Sequence, residues 1–264
     1  MIKTLGMNLK IDIAFSVNSF IYSLRKLPIF RDLFTDDIYK NKALKKIIGI
    51  FGLILSFTRM LVMKGLYFLV IYLICIYICP TNLVKSFIHV FFVFSIIGMF
   101  INNKLLIPGR KKYTSIVLFN MDACKYMRAI FWYNLFLIFI FNTLLFVLFK
   151  AYINYSLLDI ILLVILTIFT RITGESFNIW FYRKYKYLWH NNTILYFSIL
   201  IFLLLVSSLP FFNIFINKNI MFIFLGILLI LSIIGLVYLY NVHDYKIIFK
   251  HLNTKAMVMS SNSS

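Results

Sequence analysis

The side chains that could do chemistry are few and far apart. Of 264 residues only 8 are acidic and 4 are histidine. His89, His190, His243 and His251 have no carboxylate or cysteine spaced to join them around a metal ion. Neither H-E-x-x-H nor G-x-x-x-x-G-K-[ST] occurs, so the chain lacks a zinc-protease helix and a glycine-rich loop whose amides would cradle nucleotide phosphates. No catalytic residue, metal site or cofactor site is therefore expected, and any ATP hydrolysis must come from another polypeptide. Cys75 and Cys79 share one apolar run and Cys124 lies in a basic stretch, which is how small apolar residues are used rather than a disulfide framework.

The remaining charges are placed to build structure. Arg171 and Glu175 stand four apart and are expected to pair on one helix face. Asp159 lies near one end of an apolar run and Glu175 just past the other end. No acidic residue sits at the middle of such a run, which argues against a proton- or ion-driven carrier, whose spans usually hold ionisable groups.

Two stretches carry more information. The first reads GRKKYTSIVLFNMDACKYMRA and the second GESFNIWFYRKYKYLWHNN. Each mixes aromatic and aliphatic residues with Lys and Arg, as a short amphipathic helix on a membrane surface would. In the first, Tyr113, Ile116, Val117, Phe119 and Met121 exceed what a lipid anchor requires. Asp122 gains nothing from an anionic lipid. Docking into a cytoplasmic partner is the expectation for both.

The elements that must position these stretches are membrane helices. The chain is 62% hydrophobic and 13% charged, with a mean hydropathy of +0.94, whereas soluble domains carry about 25% charge. A crossing helix needs about 20 apolar residues. The expected fold is all-α: a polytopic membrane protein of six transmembrane helices, over 65–84, 86–103, 129–149, 156–170, 195–216 and 220–240. Residues 1–63 are expected to be cytoplasmic and interfacial, with an amphipathic helix in IDIAFSVNSFIYSLRK stopped at Pro28 and a second helix capped by Thr35. A 64–241 transmembrane domain then carries two cytoplasmic loops, 104–128 and 171–192, and 242–264 forms a cytoplasmic tail whose last residues are expected to be disordered. The alternative makes 47–63 a seventh span. The N-terminal MIKTLGMNLKIDIAF has no apolar core leading to a small-residue cleavage site, so no removable signal is expected.

Charge sets the orientation. Lys and Arg crowd the N-terminal region, the two long loops and the tail, against only Lys85, Lys150 and Lys218 in the short connections. Both termini are thus expected in the cytoplasm, at a plasma membrane. Trp132, Trp180 and Trp189 fall at the cytoplasmic ends of spans, as belt residues do. The net charge of +19 follows the same distribution, so nucleic acid is not an expected partner.

This layout resembles the permease subunits of ATP-binding-cassette exporters, and is similar to the membrane subunits of the phenol-soluble-modulin exporters of staphylococci and their relatives in other low-GC Gram-positive bacteria. The most specific piece is SIVLFNMDACKYMRA, an apolar stretch leading to an acidic residue and a basic-aromatic cluster. The resemblance implies that Phe119, Met121, Asp122, Lys125 and Tyr126 face an ATPase subunit, with Phe177, Trp180, Phe181 and Tyr182 forming a second contact. It also implies two copies of this chain with two ATPase subunits that bind the ATP and Mg, and export of amphipathic or apolar peptides or lipids. Two alternatives stand beside it: a non-transporting membrane anchor or immunity protein, and an intramembrane lipid enzyme, which the lack of a clustered nucleophile, base and acid disfavours.

Overall fold

The computed structural model describes residues 42–101, 105–107, 110–189 and 193–252, together with Gly6, Met7, Ile13, Val17 and Tyr22. Every regular element among them is a helix. In chain order these are α1 (Lys42–Ile78), α2 (Leu83–Ile101), α3 (Arg110–Tyr113), α4 (Ala123–Phe149), α5 (Leu157–Tyr185), α6 (Thr193–Ser207), α7 (Lys218–Asn241) and α8, helical at 245–252. Five of them, α1, α2, α4, α5 and α7, are long and apolar enough to cross a membrane. The chain divides into two compact units.

The larger unit comprises Lys64–Ile107 and Phe131–His243. Its core is aromatic: Phe68 of α1, Phe87 and Phe91 of α2, and Phe146 of α4 meet with ring centroids 4.8 to 6.4 Å apart. Tyr155 stacks on Phe87 at 6.0 Å, and its hydroxyl donates to the Phe146 carbonyl. In hydrocarbon, burying apolar surface against other helices gains little, because lipid tails are equally apolar. Tight ring packing and interhelical hydrogen bonds must do the holding.

The faces of α7 show this inversion plainly. Its buried side carries Met221, Leu225, Leu228, Ser232, Gly235 and Leu239, spaced three and four apart. Its exposed side carries Ile220, Ile223, Ile227, Ile230, Ile234 and Val237. An amphipathic surface helix in water would put polar residues there. On the buried side α7 meets α5 through small residues: Ser232 Oγ lies 3.1 Å from Thr173 Oγ1 and donates to the Phe169 carbonyl at 3.1 Å, and Gly235 sits against Ser176.

Several helix bounds differ from those the sequence predicts, each for a local reason. First, α1 is continuous from Lys42 to Ile78, leaving no turn near 63 in which a separate 47–63 span could reverse. It stops at Pro80, which has no N–H and forces the preceding Cys79 out of helix, to φ −152 and ψ 79. The first long helix thus ends before the expected Val84.

Second, α5 runs without a break through Arg171 to Tyr185, rather than giving way to a loop at 171. The reason is the predicted pair itself: Arg171 and Glu175 meet at 2.5 Å, both buried, and the Leu105 amide donates to Glu175 Oε2 at 3.1 Å. A pair that neutralises itself does not end an apolar helix. The real stop is Lys186 in the left-handed region, its amide donating to the Tyr182 carbonyl. At its start α5 has a capping box of Ser156 and Asp159, and Lys218 adds a 2.9 Å ion pair to that aspartate.

Third, α6 is only 15 residues long and gives way to a 3-10 turn over Leu209–Phe212 at Pro210. It is apolar but short of the long helices.

The smaller unit comprises Met1–Met63, Pro108–Ile130 and Asp244–Ser264. Within it, Ile13 and Val17 approach Gly49, where an added Cβ would lie 2.9 Å from Ile13 Cγ2. The rest of the expected interfacial helix, the Thr35 cap and the last tail residues lie outside the described residues.

Candidate docking surface and a buried polar cluster

The first predicted docking stretch is a short, internally fixed structure. After α3 the backbone makes one wide turn over Thr114–Leu118, closed by the Phe119 amide on the Thr114 carbonyl at 2.9 Å and the Met121 amide on the Ser115 carbonyl at 3.1 Å. Asn120 takes φ 48, a conformation asparagine tolerates. Its Oδ1 accepts from Lys246 Nζ of α8 at 3.0 Å. Asp122 then caps α4, Oδ1 accepting from the Cys124 amide at 2.9 Å and the Lys125 amide at 3.1 Å.

The Asp122 carboxyl is held below the ordinary carboxylate value, first by the Lys125 amide bond, with the Cys124 amide and the Lys125 ammonium adding to it against partial desolvation. Lys125 Nζ stands 3.5 Å from Asp122 Oδ2. This residue therefore has a structural role, helix capping, that the sequence analysis did not foresee.

These constraints project two apolar side chains outward. Phe119 is 60% exposed and its neighbour Leu118, not among the predicted residues, 64%. Asp122 and Lys125 are exposed beside them. Met121 and Tyr126 are not: they are 9% and 1% exposed, because their side chains are used inside the fold. A partner-facing role does not extend to them as the chain stands.

The second stretch lies in the other unit and divides in the same way. On the last turns of α5, Trp180 is exposed and Phe177 half-buried, whereas Phe181 and Tyr182 are buried. Phe177, Phe181 and Trp189 pack ring against ring at 5.2 to 6.0 Å, with Phe100 of α2 joining them. Lys184 Nζ sits 5.3 Å from the Trp180 and Tyr185 rings, and Arg183 lies over Tyr238. With Trp132 Nε1 donating to Tyr240 at 2.9 Å, this end of the bundle carries a basic-aromatic band.

The tail contributes more than the sequence analysis allowed. Tyr245, Ile248, Phe249 and Leu252 of α8 are all buried, and Lys112 stands 5.4 Å from the Phe249 ring. Their i, i+3, i+4, i+7 spacing was the signal available.

A polar cluster crosses the interior of the larger unit. Lys64 Nζ on α1 donates to Asn142 Oδ1 on α4 at 2.7 Å, and Asn142 Nδ2 donates to Thr167 Oγ1 on α5 at 3.0 Å. Thr167 in turn donates to the Val164 carbonyl. Lys64 also stands 6.0 Å from the Phe141 ring. A basic residue was expected to mark the start of a span here, and instead it lies within the bundle.

Among the described residues no group of three or more His, Cys, Asp or Glu is placed to hold a metal ion. The chain matches no protein-family model, no curated protein and no solved structure.

Proposed function

We propose that this chain is the permease subunit of an ATP-binding-cassette exporter, crossing the plasma membrane six times with both termini in the cytoplasm. In this reading α6 and its 3-10 extension make the sixth crossing, shorter than the other five. Two copies pair around a central path, and two separate ATPase subunits bind ATP and Mg and engage the cytoplasmic side. Cargo is an amphipathic or apolar peptide, or a lipid, since the helices offer mostly Phe, Ile and Leu to it.

The observation that carries this reading is the Leu118–Phe119 tip. Two large apolar side chains are held in the open by a turn whose backbone is tied at both ends, to Thr114 and to the capped start of α4. An apolar tip on a fixed base, ringed by Asp122 and Lys125, suits insertion into a groove of a partner. Closure of the ATPases on ATP would push on it, and rigid helices would carry the displacement toward the path.

The test is co-purification with a candidate ATP-binding-cassette ATPase subunit, chosen as one with a Walker A motif encoded in a neighbouring gene. Phe119→Ala and Leu118→Ala should each release the ATPase and uncouple its hydrolysis while leaving the chain folded. Asp122→Asn, which keeps the cap and removes the charge, separates docking from capping. An unchanged complex and unchanged coupled hydrolysis in all three variants would remove the docking assignment.

A further inference from the structure

One imidazole ties both feet of the α6–α7 connection to α2. That connection is a strap over 207–217, between Val206 near the end of α6 and the start of α7, and it contains the 3-10 turn Leu209–Phe212. His89 of α2 is 1% exposed. Its Nδ1 accepts from the Ile216 amide at 3.2 Å, and its Nε2 lies 2.8 Å from the Val206 carbonyl oxygen. A backbone amide can only donate and a carbonyl can only accept. Both partners therefore demand the same form of the ring: neutral, with its proton on Nε2. The sequence explains why that carbonyl is available. The next helical bond onto Val206 would come from residue 210, which is Pro210 and has no N–H.

The other contacts of the strap are weaker or lie beyond it. Cys79 Sγ donates to Asn213 Oδ1 at 3.6 Å, and Asn213 takes φ 57. Lys218, just past the strap, pairs with Asp159 at 2.9 Å. Phe211 and Phe212 point outward, 53% and 75% exposed, so their packing does little to hold the strap down. The surrounding elements bring several titratable groups to this end: Tyr72, Cys75 and Cys79 along and just after α1, Lys85 of α2, Lys150 and Tyr155 after α4, Asp159 of α5 and Lys218 of α7. From α6 there is none here. No side chain among them bonds the ring, because the two backbone groups occupy both nitrogens. Asp159, the one acid in that set, is engaged by Lys218 and by its own capping box. A proton on His89 thus gains no carboxylate partner.

We infer that His89 is a proton-released latch on the 207–217 strap. A proton arriving at Nδ1 sets an N–H against the Ile216 N–H, two donors with no acceptor between them. The α7 foot then lets go, while Nε2 keeps the Val206 carbonyl. The freed backbone between Ser208 and Ile216 admits water to the ring, which the charged imidazole needs. In the open form the ring titrates as an ordinary histidine, near 6.5, so each pH unit below that favours opening by up to about tenfold. With both termini in the cytoplasm this end of the bundle lies outside, and the external medium supplies the proton. That placement rests on the proposed topology; the latch itself rests neither on topology nor on an ATPase.

The test is hydrogen–deuterium exchange of the full chain in phosphatidylcholine nanodiscs, read on peptides over 207–217 and corrected at each pH for the rate of an unstructured peptide. Wild-type protection of the strap should fall about tenfold or more between about pH 7.5 and about pH 4.5, while peptides within 225–241 stay constant. His89→Gln, whose amide can donate and accept but does not titrate, should keep its protection unchanged across that window. Asp159→Asn should still show the acid response, which separates the latch from the neighbouring ion pair. A measurement on wild type alone keeps the test decisive if a variant folds poorly: nitrogen NMR of histidine-labelled protein at neutral pH should show His89 bare at Nδ1 and protonated at Nε2. Strap protection that ignores pH in wild type, the same acid loss in His89→Gln, loss of the response in Asp159→Asn, or a ring protonated at Nδ1 at neutral pH would each overturn the inference. Because no ATPase takes part, those outcomes are separate from failure of the exporter reading.

Discussion

Gly235→Ala probes the close crossing of α5 and α7. A Cβ at this position would lie 2.5 Å from Ser176 Oγ and 3.0 Å from Ser176 Cβ. Rotating the Ser176 hydroxyl relieves the first contact but sacrifices its 2.9 Å bond to the Thr173 carbonyl. No rotation relieves the second, since carbons pack at about 3.5 to 4.0 Å. The helices α5 and α7 must therefore part by roughly 0.5 to 1 Å, which stretches the Thr173–Ser232 contact, already 3.1 Å. Overpacking of this kind costs about 1 to 3 kcal/mol, and a weakened interhelical bond adds about 0.6 kcal/mol. Alanine returns up to about 1 kcal/mol through helix propensity. The net expectation is a loss of about 1 to 2 kcal/mol, read by unfolding in mixed micelles with rising sodium dodecyl sulfate. Ser176→Gly removes both clashing atoms, so a double-mutant cycle should show a coupling energy of similar size and opposite sign. Gly235→Ala with full stability, or a cycle with no coupling, would refute the crossing geometry.

Three further outcomes follow from other contacts. Asp122→Ala should cost about 0.5 to 2 kcal/mol through loss of the α4 cap, with Asp122→Asn close to wild type. Because the folded carboxyl titrates below its unfolded value, the charge-dependent part of this stabilisation is present at neutral pH. It fades only in acid, as pH falls from about 3.9 through the lowered folded value; faster amide exchange at Cys124 and Lys125 would report it. Arg171→Ala breaks the buried ion pair with Glu175 and should cost about 3 to 5 kcal/mol, whereas Arg171→Met with Glu175→Gln should recover most of that in the same unfolding assay. For topology, a cysteine replacing Lys150 should react with an impermeant maleimide from outside intact cells and one replacing Lys112 should not; the reverse pattern would invert the chain.

The apolar runs and the Arg171–Glu175 pair were legible in the sequence because each is a local pattern; Pro80 was as local a signal, yet the first span was carried past it to Val84. What was not legible depends on partners far along the chain. Lys64 was read as a span boundary because a lone basic residue in an apolar run is expensive. Its amide partner is 78 positions away. Arg171 was read the same way, although its neutralising Glu175 was already in view, so the pairing should have extended that helix. The docking residues divided for a related reason. The resemblance puts Phe119 and Tyr126 on one partner-facing surface, but only packing decides that Phe119 is open and Tyr126 is 1% exposed. Asp122 drew attention as an acid among cations, while its place immediately before an apolar helix equally marked it as a cap.

The band formed by Trp132, Trp180 and Trp189 has a spectroscopic consequence. The chain has 3 tryptophans, and all of them lie at one end of the bundle. Intrinsic emission from the protein in vesicles therefore reports a single leaflet. Lipids brominated near the glycerol should quench it strongly and those brominated at the chain terminus weakly. A partner that covers the exposed Trp180 would blue-shift one component, leaving the buried Trp189 as an internal reference in the same spectrum.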